Sequence, residues 1–209
     1  VFPPLYAIVD AGMTGEPVSF AAKLARAGAT LIQLRDKRSS AGRVYAQSRE
    51  LVALLAPRGV RLVVNDRADI AAMAGASGVH VGQDDLPVED ARKICPSPCW
   101  VGVSTHDLNQ LREAERTSAD YIAVGPIFPT VTKENPDPVV GLRWLRAARE
   151  WTRKPLVAIG GITAGNASEV YAAGADSVAV IRDLALATDA ARQVRRFLAI
   201  AERSITRRS

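Results

Sequence analysis

Cations, carboxylates and hydroxyls recur in this chain where apolar strands should give way to loops. In QLRDK, Gln33, Arg35 and Lys37 share parity, so an extended strand aims all three one way while Leu34 points oppositely. Burying an amide and two cations on one stripe is costly unless an anionic or polar ligand meets them. The competing reading is a pair of surface cations balanced by Asp10 and Asp36. NDR at 65–67 and GQDD at 82–85 add carboxylates at two further strand ends. Asp66 and Asp85 can converge on one hard cation, and Mg²⁺ suits them: it takes one or two carboxylates, keeps waters and bonds phosphate oxygens. The alternative for Asp66 is an N-cap on the following helix.

A second group surrounds GPIFPTVTK at 125–133. Pro126 and Pro129 stiffen the segment, Thr130 and Thr132 offer hydroxyls, and Lys133 adds a cation. Gly160 and Gly161 end another apolar run, where backbone amides can approach an anion and a helix starting near Asn166 can aim its N-terminus at it. Two anion sites are thus expected, one cationic and metal-assisted, the other built from amides and hydroxyls. His80 lies inside an apolar run and reads as a satisfied buried imidazole. His106, just past another run, shares parity with Ser104 within it, and no third group is placed to make a Ser-His-Asp triad.

These residues are spread over some 150 positions, so something must gather them. Eight short β-branched runs recur: 5–10, 30–37, 61–66, 78–82, 100–105, 121–126, 155–161 and 177–183. Near-continuous apolar strands belong to parallel sheets covered on both faces. Alanine-rich amphipathic segments lie between them, several closing on AG or SG as helix C-caps do. The spacing after 61–66 leaves room for about two turns of helix. Eight such units without a linker predict a single-domain (β/α)₈ TIM barrel over 1–209, whose active site belongs at the C-terminal strand ends. An open doubly wound sheet is the alternative, but LYAIVDAGMTG lacks the glycine fingerprint expected of its first turn.

Bulk properties narrow the class. With 48% hydrophobic residues among 209, the chain can fill one core. No apolar run reaches the roughly 20 residues of a membrane helix, and no signal peptide is read. The expected location is cytoplasmic. Cys95 and Cys99, the two cysteines, have too few companion ligands for zinc. The net charge of +5 suits a small anionic substrate, and much of the excess lies in an arginine-rich tail from about Arg192. That segment reads as a terminal helix with a solvated face and a frayed end, not a nucleic-acid patch.

In order and spacing, LYAIVD, QLRDK, VVNDRADIA, GVHVGQDD, GVSTH, DYIAVGPIFPTVTK, VAIGGI and GADSVAVIRD make the chain resemble the thiamine-phosphate synthase family. The resemblance implies a barrel enzyme that joins 4-amino-5-hydroxymethyl-2-methylpyrimidine diphosphate to 4-methyl-5-(2-phosphoethyl)thiazole with release of diphosphate. It implies Mg²⁺ on Asp66 and Asp85. Contacts to the pyrimidine diphosphate would come from Gln33, Leu34, Arg35, Asp36, Lys37, Asn65, Ser104 and Lys133, with Arg35, Lys37, Ser104 and Lys133 catalytic. Contacts to the thiazole phosphate would come from Thr130, Val131, Thr132, Gly161, Ile181 and Arg182. The family commonly has a small residue, often serine, where this chain has Arg182, which puts the geometry of that subsite in question. The alternatives are the related thiazole tautomerase, with His106 as acid–base residue, and a non-catalytic phospho-ligand regulator. The expected partners are small molecules, neither nucleic acid nor membrane, with a homo-oligomer left open.

Overall fold

The computed structural model describes residues 1–130 and 138–206. Eight parallel strands close on themselves in sequence order: β1 (Leu5–Asp10), β2 (Leu31–Arg35), β3 (Arg61–Asn65), β4 (Gly78–Val81), β5 (Trp100–Thr105), β6 (Tyr121–Val124), β7 (Leu156–Ile159) and β8 (Ser177–Val180), with β8 paired to β1. Helices α1 (Ala11–Thr14), α2 (Pro17–Arg26), α3 (Ala41–Leu55), α4 (Ala68–Ala74), α5 (Val88–Ile94), α6 (Leu108–Arg116), α7 (Gly141–Trp151), α8 (Ala167–Ala172), α9 (Arg182–Ala185) and α10 (Ala190–Thr206) occupy the connections and the end of the chain. The (β/α)₈ expectation is met. Among the described residues, no helix is long and apolar enough to cross a membrane.

Strand alternation builds two cores. Leu5, Ala7, Val9, Ile32, Leu34, Leu62 and Val64 point outward and pack under the helices. Tyr6, Ile8, Leu31, Val63, Tyr121, Ala123, Val157 and Ala179 point inward and fill the barrel. Because neighbouring strands present both faces to apolar partners, their sequences look hydrophobic throughout. Bulky inner residues need small neighbours. A Cβ on Gly102, the Cα partner of Tyr121, would lie 1.9 Å from the Tyr121 ring. Glycine there opens the space that the ring fills. Phe2 and Trp100 stack at 5.2 Å and pack against this inner cluster from the N-terminal end.

Side chains also fasten that end. Asp120 accepts from Val101 N at 2.7 Å and pairs with Arg92 on α5. Asp176 repeats the device, accepting from Leu156 N at 2.8 Å and from Arg149 on α7 at 2.7 Å. Polar groups engaged this way at the N-terminal face serve stability, leaving the opposite rim for chemistry.

Two sequence expectations need correction. The strand read over 30–37 stops at Arg35, so Lys37 lies in the loop beyond it. The run read to 183 stops at Val180, and Arg182 opens α9. The arginine-rich segment from about Arg192 is the terminal helix expected there: α10 runs to Thr206 and buries Val194, Phe197 and Ala201 in the core. One face of that helix packs on the core while Arg192, Arg195 and Arg196 stay exposed on the other.

Candidate active site

The C-terminal strand ends surround a cavity of about 1490 Å³. Of the residues singled out in sequence, Gln33, Arg35, Lys37, Asn65, Asp66, Asp85, Ser104, Thr130, Gly161, Ile181 and Arg182 line it. Leu34 and Asp36 do not. Leu34 is buried against the helices, because alternation sends it outward. Asp36 faces away and caps its own loop, accepting from Arg38 N at 3.0 Å and Ser39 N at 2.9 Å. Val131, Thr132 and Lys133 lie outside the described residues.

One wall carries the charges. Arg35 pairs with Asp10, its Cα partner on the adjacent strand, so the balancing role once considered for Asp10 is real. The guanidinium still lines the cavity. Lys37 reaches across to Asp66, Nζ to Oδ2, at 3.1 Å. Asp66 does not cap α4. That position belongs to Arg67, and Asp66 adopts a left-handed φ of 62° while its N–H donates to His80 O at 2.7 Å. This turn carries its carboxylate into contact with Asp85. Asp85 is itself oriented by Gly82 N, which donates to its Oδ2 at 2.7 Å.

Burial raises the Asp66 carboxyl above the usual range, and the nearby Asp85 raises it further against the opposing pull of Lys37. Two carboxylates pressed together beside one ammonium favour a bound cation. No group of three or more His, Cys, Asp or Glu side chains suited to a metal occurs among the described residues. A two-carboxylate seat fits Mg²⁺, which completes its shell with waters and substrate phosphate oxygens.

The opposite wall is set by close packing. The segment after β6 lies against the end of β7, with Ile127 N donating to Ile159 O at 2.9 Å and Phe128 N to Gly160 O at 3.1 Å. A Cβ on Gly160 would lie 2.5 Å from Pro126, and one on Gly161, at φ 62°, would lie 2.5 Å from Pro129 O. The two glycines therefore permit this approach, a requirement separate from anion contact. Asn166 donates to Gly161 O at 3.1 Å, and α8 beyond it has only six residues.

The floor was not foreseen. Tyr6 and His80 line the cavity, and the His80 ring stacks on Tyr121 of the buried inner core at 5.5 Å. His80 Nδ1 lies 3.0 Å from Tyr121 Oη and its Nε2 2.9 Å from Ser104 Oγ. The imidazole is satisfied and buried as expected, yet it also faces the site. Burial pushes its pKa down to about 4, so the ring is neutral at pH 7. The signal was available: the parity rule applied to QLRDK also sends Tyr6 inward with Ile8, and Tyr121 with Ala123. His106 Nδ1 lies 2.7 Å from Gly125 O at the rim.

Comparison with known proteins identifies the family. A family model described as thiamine monophosphate synthase matches residues 5–184. A thiamine-phosphate synthase of Koribacter versatilis is 54% identical over 188 residues, 87% of this chain and 89% of that protein. One of Chloroflexus aurantiacus is 43% identical over 95% of this chain and 94% of its own length. The solved thiamine phosphate pyrophosphorylase of Pyrococcus furiosus superposes with a TM-score of 0.89 at 34% identity, covering 97% of this chain and 96% of that one. An eight-stranded barrel, matched by the family model over residues 5–184 and by relatives along most of its length, places this chain in the thiamine monophosphate synthase family.

Proposed function

We propose that this chain is a transferase that joins 4-amino-5-hydroxymethyl-2-methylpyrimidine diphosphate to 4-methyl-5-(2-phosphoethyl)thiazole, giving thiamine phosphate and diphosphate. In this reaction the thiazole nitrogen lone pair forms a bond to the pyrimidine CH₂ carbon as the C–O bond to diphosphate breaks. The departing group takes the bonding pair, and no proton has to be removed. The difficulty is the charge that grows on diphosphate, and the electron-rich aminopyrimidine eases the cation left behind.

Arg35 and Lys37 would meet that charge, with Lys133 in the same role. Asp66 and Asp85 would hold Mg²⁺, which when bound supplies Lewis-acid neutralisation of the leaving oxygens. Ser104 would contact the same substrate from the floor. Thr130, Gly161 and the start of α9 would hold the thiazole phosphate, orienting its ring toward the reacting carbon. The observation that supports this reading best is the meeting of Lys37, Asp66 and Asp85 at one mouth, in a chain of this family.

The test is a coupled assay of diphosphate and thiamine phosphate formation, with each substrate and Mg²⁺ omitted in turn. Product only when all three are present is expected. No thiamine phosphate, with isomerisation of a thiazole carboxylate phosphate instead, would replace this reading by the tautomerase.

A further inference from the structure

Five polar side chains from five strands form one file through the barrel interior. Gln33 Nε2 on β2 donates to Tyr6 Oη on β1 at 2.7 Å. Tyr6 Oη lies 2.9 Å from Tyr121 Oη on β6, which lies 3.0 Å from His80 Nδ1 on β4. His80 Nε2 lies 2.9 Å from Ser104 Oγ on β5, at the cavity wall. We propose that this file has a direction: Tyr121 acts as the positioning residue that holds the His80 proton on Nε2, so that the Ser104 hydroxyl donates into the cavity.

Counting hydrogens gives the direction. Each tyrosine has one O–H, and a neutral imidazole has one N–H. Because Gln33 donates to Tyr6, the Tyr6 hydrogen has Tyr121 Oη as its acceptor. Tyr121 then donates to His80 Nδ1, which must be bare, and the ring proton sits on Nε2. That proton points at Ser104 Oγ, leaving the serine hydrogen to face the cavity. Running the file the other way while Gln33 donates would strand the Tyr6 hydrogen in a buried interior, at the full desolvation penalty of an unpaired donor. Tyr6 is about 1% exposed, so little of that penalty is recovered from water.

The far end agrees. Ser104 shares the cavity with Arg35 and Lys37, groups suited to an anionic ligand. A serine that spent its hydrogen on His80 would offer such a ligand only lone pairs. Donating outward, it offers a hydrogen bond to an anionic oxygen, the stronger charge-assisted kind. That this oxygen belongs to a pyrimidine diphosphate rests on the function proposed above; the direction of the file does not.

The test reads the proton itself. The chain has two histidines, so a long-range ¹H–¹⁵N spectrum of the ligand-free protein contains two imidazole patterns, and His106→Gln assigns them. A neutral His80 protonated on Nε2 is expected in the wild type and in Tyr6→Phe, where Tyr121 still donates to Nδ1. Tyr121→Phe removes that donor and should give a mixture of both neutral tautomers. The same variant should lower kcat/KM roughly tenfold, the size of one hydrogen bond to a charged group. In a Ser104→Ala background it should lower kcat/KM by less than about twofold, because the two residues act through one hydrogen bond. A wild-type proton on Nδ1 would overturn the proposal whether or not the protein makes thiamine phosphate. So would an unchanged tautomer in Tyr121→Phe, or fully additive losses in the double variant. Absent synthase activity with the expected spectrum would instead remove the function and leave the direction standing.

Discussion

Acid should weaken this fold through His80 in a way that can be isolated. In the unfolded chain an imidazole protonates near its ordinary value of 6.5, whereas burial inside the barrel delays protonation to about pH 4. Between those values the unfolded chain binds more protons than the folded one. Stability is therefore fully present above the unfolded value, is lost as pH falls, and has lost this whole contribution below the folded value. The gap of about 2.5 units, at about 1.4 kcal/mol per unit, amounts to about 3 kcal/mol. Most of it, about 2.5 kcal/mol, should disappear between pH 7.5 and pH 4.5. Urea unfolding of the wild type and of His80→Asn at both pH values measures this. Carboxylates titrate in both proteins and cancel in the difference. The wild type should lose about 2–3 kcal/mol more than the variant over that interval. Equal losses would mean that His80 is not held neutral by the barrel, and the reasoning would fail.

Asp66→Asn should raise Tm in the absence of divalent cations, since the carboxyl is held above its usual range and its ionised form is disfavoured in the fold. The half-exposed Lys37 pair that it gives up contributes little. Mg²⁺ should raise the wild-type Tm and leave the variant unmoved, while kcat/KM of the variant falls roughly a hundredfold or more. A Mg²⁺ response retained in Asp66→Asn would remove this residue from the metal seat. Gly102→Ala should destabilise by about 1–3 kcal/mol, because the new methyl meets the Tyr121 ring at 1.9 Å. An unchanged melting curve would show that the inner layer is looser than its packing indicates. Lys133→Ala should lower kcat roughly a hundredfold; an unchanged kcat/KM would take it out of the departing-group role.

The fold was legible because a covered parallel sheet leaves a strong trace: eight runs apolar on both faces, each separated by an amphipathic segment. Element boundaries were less so. Lys37 and Arg182 were read as strand residues because apolar character does not mark where hydrogen bonding stops, and both sit just past the last paired residue. For α10 the terminal helix was legible, and the structure adds that Val194, Phe197 and Ala201 carry its buried face.

For the site, residue type and parity alone determined which charged groups share a rim. They could do so because alternation along a strand is local and because a closed barrel leaves its C-terminal ends facing one place. Only the tertiary structure decided the partnerships: Arg35 on Asp10, Lys37 on Asp66, Asp66 against Asp85, and Gly160 and Gly161 making room for the segment after β6. It also joined Tyr6, Tyr121 and His80 into one polar chain beneath the site, since their hydroxyl and ring atoms come within hydrogen-bonding distance only when distant strands meet inside the closed barrel. Contacts across 41 and 115 residues of chain depend on that closure, and no local pattern encodes them.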